Sequence, residues 1–585
     1  MGAQSSWSRR DWALVTLLSV AVVLSRLPFR SHLLFNWDAA DFALALRHYD
    51  VTQFQPHPPG YPVYIALAWL FSLVLADHNA SLVAVSLLFS ALAVAALYAL
   101  GRAVGGWRTG LIAALLLAGS VTYWTYGGLA LAYVSLAFFS GLAALWGYET
   151  LLLGRDRLLP LSALYAVAGG FRAELLLFLC PLWLACLLAA PRRRALAAAA
   201  LASAIVLAWA LPMMLLSGGA AAYLALLLNY SDQDVVRRYS VPARGFEGLW
   251  VNLRDTASYV FYSMYAIAPL FIAASVSWAA RGNTAKALFL CVSLVFSGRR
   301  TQDAGLGLLG WAALWVGPMI LFYNLIHVGD PGYVFSFYPA LLLFTARWLA
   351  GPRTAPALPR ADTEVRPYAG AGGIEPIPSV SHPAREGEGP GARASRPPVA
   401  PGTTSADTAD APRRTSYRHL PGPRGDPLSL WERARVRAGR AGSRFLLVAT
   451  AVGLVLAANT AVFLFHQRPL TAWGVRAADA ALAARLAYVQ ERFGPGEAVL
   501  LASDSVRHLR YYLPDYREYW VDRLSPFERR VPLPEGLRAV VLFDPDLLPL
   551  APDAEAVDLG EARLGVLPAQ PGQAVTYGRG GIGVE

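Results

Sequence analysis

Residues 36–65 read NWDAADFALALRHYDVTQFQPHPPGYPVYI, a polar stretch that follows one strongly apolar run and leads into another. It holds the aspartates Asp38, Asp41 and Asp50, the histidines His48 and His57, and a Pro58-Pro59-Gly60 turn. The spacing in DAADFALALRHY predicts a helix in which Asp38 and Asp41, three residues apart, share a face. In QPHPPGYPVYI each proline biases the residue before it toward extended backbone and Gly60 relieves the turn, so that helix ends and the next apolar segment folds back toward it.

The surroundings are those of a membrane protein. The chain has 585 residues, of which 56% are hydrophobic and 15% charged, too apolar for a water-soluble protein of this length. Of 50 Lys plus Arg residues one is a lysine, Lys286, which leaves 50 − 1 = 49 arginines and points to a GC-rich, bacterial coding sequence. The net charge of +11 does not imply nucleic acid, because the arginines lie between apolar segments and in one low-complexity tract, as expected of loops at an anionic membrane surface. The cysteines Cys180, Cys186 and Cys291 sit inside apolar runs, with no disulfide framework and no metal-like array. The basic start and apolar core of residues 5–27, with no small-residue cleavage site after them, read as a retained first span.

A span needs about 20 apolar residues. Candidates lie near residues 11–28, 61–76, 80–101, 109–125, 128–153, 159–190, 195–217, 257–280, 304–326, 333–350 and 445–465, about eleven spans, with the run 286–300 too short to count. The expectation is a polytopic α-helical membrane protein with a small C-terminal α/β domain: a transmembrane catalytic domain over 1–350, a disordered Pro/Gly/Arg-rich cytoplasmic linker over 351–443, a final span at 444–465 and a soluble domain at 466–585. With the N-terminus inside, Arg9, Arg10, Arg192–Arg194, Lys286, Arg299, Arg300 and the linker all fall on the cytoplasmic side. On this count Arg102, Arg108, Arg155 and Arg157 stand outside. The opening stretch, the loop 218–256, the turn HVGDPGY (327–333) and the C-terminal domain then face outward from a bacterial inner (plasma) membrane. In the C-terminal domain residues 471–494 have helical spacing, and EAVLLAS, REYWVD and RAVVLFD read as strands.

The first span, then WDAADF, then QPHPPGYPVYI, resembles the GT-C superfamily of membrane glycosyltransferases. The likeness is to the bacterial relatives of the protein O-mannosyltransferases (glycosyltransferase family 39) and to the lipid A aminoarabinose transferase. Those proteins carry an acidic motif in the first external loop and a His-Pro-Pro motif opening the next span. The resemblance is specific over residues 10–75 and loose to about residue 350. The family's acidic pair is Asp-Glu, whereas Ala39 follows Asp38 here and the nearest second acid is Asp41.

What the resemblance implies is inverting transfer of a sugar from a polyprenyl-phosphate donor to an acceptor hydroxyl on the extracytoplasmic face. Asp38 would be the general base. The phosphate leaving group calls for fixed positive charge, and Arg172, inside the apolar run AVAGGFRAELLLF, is the candidate, with Glu174 sharing its surface if Gly169-Gly170 breaks the helix. A snorkelling arginine at a span end is the alternative. Asp41, His57, Tyr61, His327 and Tyr333 are candidate donor- or acceptor-binding residues, and Arg237 and Arg238 could draw in the phosphate; interfacial polar and aromatic anchoring, Tyr64 included, is the competing reading. No cluster of acids and histidines suggests a tightly held metal, so no cofactor is expected. The acceptor, whether glycan, lipid or protein, is not readable. A multi-span transporter or flippase is the rival class, against which stand the lack of repeated halves and the exported soluble domain.

Residues 351–443 lack apolar periodicity, and the segments EGEGPGARAS and LSLWERARVRAGRAG look like translated dispersed DNA repeats. Deletion of residues 360–435 is expected to leave turnover of the purified protein unchanged; lost turnover in a folded deletion variant would make the tract functional.

Overall fold

The computed structural model describes residues 7–231, 236–281, 304–351, 427–522, 527–570, 572–578 and 581–585, with side chains throughout except at 238, 304–306 and 427–444. Residues 3–355 and 446–585 form one compact unit and residues 356–445 another, in which only the start of a helix is described. The run 286–300 and most of the 351–443 tract lie outside the described residues.

Helix α1 (Arg9–Arg26) opens with a reciprocal cap between Ser8 and Asp11. The surface helix α2 (Trp37–Arg47) and the short α3 (Pro62–Ser72) precede α4 (His78–Gly105). At one end of α4, Tyr98 Oη donates to Asp11 Oδ1 at 2.6 Å and Arg102 Nε pairs with the same oxygen at 3.1 Å. At the other end, Asn79 Nδ2 donates to the Ser31 carbonyl at 3.0 Å. The α4 helix therefore runs antiparallel to α1, and everything from residue 27 to residue 77 stays at one end of the bundle. The span expected at 61–76 is not a crossing: the 11 residues of α3 are only about 16 Å long, roughly half the hydrocarbon core of a bilayer.

Helix α5 (Trp107–Ala118) returns against α4 with Gly101 on Gly110, where a Cβ on Gly101 would lie 2.7 Å from the Gly110 Cα. Its start is tied to α1 by the Arg10 guanidinium, 3.4 Å from the Trp107 ring centre. The expected span 109–125 breaks at Gly119–Ser120 into α5 and the short α6 (Val121–Tyr126). Helix α7 (Val134–Leu151) leads to a loop in which Arg155 and Arg157 pair with Glu149 at 2.6 and 2.7 Å.

The run 159–190, expected as one span, is a hairpin of α8 (Leu158–Phe171) and α9 (Glu174–Ala189). Tyr165 stacks on Trp183 at 4.6 Å, and Trp183 Nε1 donates to Ser162 Oγ at 2.8 Å, contacts possible only if α9 doubles back along α8. Arg194, opening α10 (Arg192–Leu216), accordingly pairs with Asp156 at 2.7 Å. The two corrections offset each other in the span count. They also move Arg102, Arg108, Arg155 and Arg157 to the end of the bundle that holds Arg9 and Arg10.

Beyond α10, α11 (Ala220–Tyr230) and α12 (Val241–Met264) lie at the Asp38 end, where Asn252 Nδ2 reaches the Asn324 carbonyl at 3.3 Å. The expected span 257–280 breaks after Met264, and only α13 (Ala268–Ala279) continues. Helices α14 (Ala304–Leu325), α15 (Tyr338–Ala350) and α16 (Pro427–Phe465) complete the bundle. Trp311 and Trp315 of α14 donate to Ala144 O and Ser140 Oγ of α7. Asn459 ties α16 to the breaks in its neighbours, donating to Gly119 O at 3.0 Å and accepting from Ala266 N at 2.9 Å. Among the described residues, seven helical stretches are long and apolar enough to cross a membrane, and shorter apolar helices such as α5, α8 and α9 stand beside them. The protein is a multi-pass membrane protein.

The C-terminal domain carries α17 (Ala472–Arg492), α18 (Val506–Tyr512) and strands β1 (Ala498–Ala502), β2 (Arg517–Trp520), β3 (Arg529–Pro532), β4 (Ala539–Leu542), β5 (Glu555–Asp558), β6 (Arg563–Pro568), β7 (Ala574–Gly578) and β8 (Gly581–Val584). One sheet has the order β2-β1-β4-β6-β5, with β1 parallel to β2 and β4, and β3-β7-β8 form a second, antiparallel sheet. The expected strands are β1, β2 and β4. The domain docks on the chain just before α2: Asp479 accepts from Ser31 Oγ and His32 N, both at 2.7 Å, and from Leu33 N at 3.2 Å, while His508 Nε2 meets the Leu34 carbonyl at 3.0 Å.

Candidate functional site

Helix α2 begins at Asn36, whose side chain accepts the Ala39 N–H at 3.1 Å, and this places Asp38 in the first turn, where a carboxylate suits the helix dipole. Ala39, Ala40 and Ala43 bury the helix closely against its neighbours. The face shared by Asp38 and Asp41 is real: both approach His57 Nδ1, at 3.8 and 3.3 Å. Their exposure differs. The Asp38 side chain is 28% exposed and the Asp41 side chain 0%.

His57 is delivered by the proline loop. Gly60 has φ +110°, and Tyr49 Oη holds its carbonyl at 2.7 Å. The other imidazole nitrogen, Nε2, shares a hydrogen bond with Tyr61 Oη at 2.9 Å, and Phe42 packs against His57, Tyr61 and Tyr64. Burial pushes the Asp41 carboxyl above its usual pKa, against the pull of His57 and Arg507. Burial alone would discharge His57, but the carboxylates of Asp38 and Asp41 outweigh it and hold its pKa above the usual value.

Across from this pair lies the tip of the α8–α9 hairpin. After Gly169-Gly170, Arg172 adopts extended backbone (φ −151°, ψ 113°) and α9 starts at Glu174. The break brings the Glu174 carboxylate onto Arg172 Nε. The buried guanidinium lies over Tyr133, Tyr333 and Tyr61, at 4.4, 4.8 and 5.6 Å from their ring centres. Among the described residues its only hydrogen bond is the one from Nε, so the far side of the fork has aromatic faces around it and no protein acceptor.

Tyr133 joins the two halves. Its hydroxyl donates to Asp38 Oδ2 at 3.2 Å while its ring faces Arg172. Tyr333 is presented by the turn Pro331–Ser336, capped by Asp330, which accepts Gly332 N at 2.8 Å and the Tyr126 hydroxyl. His327 stacks on Tyr239 at 4.4 Å and faces Tyr333 at 5.9 Å; burial lowers its pKa to about 4, so it is neutral at pH 7. Tyr61 and Tyr64 are buried in the core. Arg237 is exposed on the turn Arg237–Tyr239, and the Arg238 side chain lies outside the described residues.

Asp38, Asp41, His57, Tyr61, Arg172, Glu174, Tyr333 and His327 are thus gathered at one end of the bundle. Three members were invisible in the sequence. Tyr133 sits in an unremarkable apolar stretch, Asp330 looked like a turn residue, and Arg507 lies 466 residues from Asp41 in chain order (507 − 41). Among the described residues no group of three or more His, Cys, Asp or Glu side chains is arranged to hold a metal ion.

The architecture is a bundle of apolar helices with a surface helix between the first two crossings and a C-terminal domain docked over it. The chain matches the crystal structure of ArnT from Cupriavidus metallidurans bound to undecaprenyl phosphate, with a TM-score of 0.50 and 14% identity, over 96% of this chain and 98% of that one. The apo form of that ArnT matches over the same shares with a TM-score of 0.49, also at 14% identity. The Archaeoglobus fulgidus oligosaccharyltransferase in its apo form matches at 0.34 and 14% identity, over 58% of this chain and 50% of that one. No protein-family profile and no curated protein matches the chain. The resemblance read from residues 10–75 therefore extends, as a fold, over nearly the whole chain.

Asp330 supplies a pH test. Burial raises its pKa to about 6, above the unfolded value near 4, so the folded state favours the protonated form and stability falls as pH rises through that window. Asp330→Asn keeps an acceptor for Tyr126 and Gly332 without the charge. It is expected to raise the melting temperature of the detergent-solubilised protein at pH 7.5 and leave it nearly unchanged at pH 4; a lower melting temperature at pH 7.5 would show that the buried charge stabilises the turn.

Proposed function

We propose that the chain is a membrane glycosyltransferase that moves a sugar from a polyprenyl-phosphate donor to an acceptor hydroxyl, with inversion, at the extracytoplasmic face of a bacterial inner membrane. The observation that carries this reading is the placement of Asp38 and Arg172 on one tyrosine: a half-exposed carboxylate bonds the Tyr133 hydroxyl, and a buried arginine covers its ring. A sugar transferred from a phosphate needs a base for the incoming hydroxyl and a cation for the leaving phosphate, held a short distance apart.

In the reaction the acceptor oxygen bonds the anomeric carbon and gives its proton to Asp38. The bond from that carbon to the phosphate oxygen breaks, and the polyprenyl phosphate leaves with the electron pair. Arg172 receives the phosphate charge. Glu174 occupies Nε and so turns the terminal nitrogens of the fork toward the tyrosine-lined space. Tyr61 and Tyr333 line that space, His57 orients the acids, and neutral His327 backs Tyr333. Asp41 is spent on His57 and Arg507 and does not reach the substrate. We propose a reaction without a bound metal, since the charge a metal would neutralise is met by Arg172.

The arginines support this orientation. Arg9, Arg10, Arg102, Arg108, Arg155, Arg157 and Arg192–Arg194 share one end of the bundle, and the excess of positive charge makes that end cytoplasmic. Asp38, Arg172 and the C-terminal domain then lie on the outer side. A solved ArnT holding undecaprenyl phosphate in the same fold supports the donor class.

The test is turnover of the full chain in nanodiscs with polyprenyl-phosphate hexoses and pentoses, read as released polyprenyl phosphate. Asp38→Asn is expected to lower kcat by about 10²–10⁴-fold, and chelator to change nothing. Unchanged turnover in Asp38→Asn would overturn the base assignment.

A further inference from the structure

Arg507 comes from α18 of the C-terminal domain, yet its partners are in the membrane part. Its Nε lies 3.3 Å from Asp41 Oδ1, its guanidinium covers Trp37 at 5.0 Å and Phe54 at 4.9 Å, and Nη1 donates to the Gln53 carbonyl at 3.4 Å. One side chain thereby clamps α2 to the loop that carries His57. The side chains of Arg507 and Asp41 are 11% and 0% exposed, so this is a buried pair rather than a solvated surface bridge.

We propose that Arg507 is a positioning residue of the reaction centre: the C-terminal domain uses its positive charge to balance Asp41 from the far side, so that His57 is not drawn into full charge and Asp38 remains free to accept a proton. This rests on the reading of Asp38 as the base. Nδ1 of His57 has two carboxylates in front of it, Asp41 at 3.3 Å and Asp38 at 3.8 Å. The charged and titratable groups facing the imidazole are Asp38 and Asp41 from α2, Tyr61 from its own loop and Arg172 from the hairpin. With Arg507 present, Asp41 is balanced from its far side. Without it, the negative charge of Asp41 acts on the imidazole unbalanced, the imidazolium is favoured to higher pH, and it competes for the lone pair that Asp38 offers the acceptor.

The domain does not depend on Arg507 to dock. Asp479 holds Ser31, His32 and Leu33, Tyr512 Oη accepts from Leu34 N at 2.9 Å, and Arg47 reaches the Tyr511 carbonyl at 2.9 Å. A variant at Arg507 therefore reads the site rather than the assembly.

The experiment compares full-length wild type, Arg507→Met and Arg507→Lys in nanodiscs. Donor turnover is followed from pH 5 to 9, and His57 is followed by ¹³C NMR of histidine-labelled protein, assigned with His57→Gln. Arg507→Met is expected to move the rising limb of kcat, and the His57 titration, up by about one pH unit, with KM for the donor unchanged. Arg507→Lys is expected to restore much of the limb. A limb and titration at their wild-type positions in Arg507→Met, with or without a uniform loss of kcat, would overturn the proposal. Failure of the underlying reading looks different: Asp38→Asn would then turn over like wild type, while the His57 titration would still report whether Arg507 acts on it.

Discussion

A carboxylate with no exposure keeps its charge only if partners replace the water it has lost, and at the Asp38 end of the bundle Asp41 is that carboxylate. Its two partners arrive from different directions, His57 on the proline loop and Arg507 on the C-terminal domain. Removing one partner of a buried pair generally costs about 3–5 kcal/mol, a local cost here because Asp479 and Tyr512 hold the C-terminal domain to the chain before α2 independently. Helix α2, the QPHPPG loop and α18 thus meet at one acid. Asp38, one turn earlier on α2, shares that position while staying partly exposed.

The second constraint is Arg172. An arginine in an apolar hairpin is expensive unless it is paired, and here Glu174 sits on Nε with tyrosine faces around the rest. The break after Gly169-Gly170 allows it, because on a continuous helix residues two apart point away from each other. The same break makes two legs of what reads as one apolar run, so the device that places Arg172 against Glu174 also sets the topology.

What was legible in the sequence followed from local chemistry. The α2 helix, the proline turn, the apolar character of the bundle and strands β1, β2 and β4 are all encoded in short windows. The failures came from distant contacts. Apolar length made 61–76 look like a span, and only Asn79 on Ser31 at one end, with Arg102 on Asp11 at the other, shows that the chain stays where it started. The 159–190 run did carry a warning: 32 residues of helix would be about 48 Å long, well beyond a bilayer core of about 30 Å. Tyr133 and Arg507 had no such signal, because nothing in an apolar stretch or a remote domain marks a residue as facing Asp38 or Asp41.

The central claim is a division of labour across Tyr133, with Asp38 taking the proton and Arg172 holding the phosphate. Binding of undecaprenyl phosphate to the full chain in nanodiscs, followed by ³¹P NMR or by competition with a labelled polyprenyl phosphate, separates the two roles without knowledge of sugar or acceptor. The account predicts that Arg172→Gln weakens binding by about tenfold or more, as loss of a charged hydrogen bond to phosphate would, while Asp38→Asn binds as wild type does. Equal binding by wild type and Arg172→Gln would contradict it.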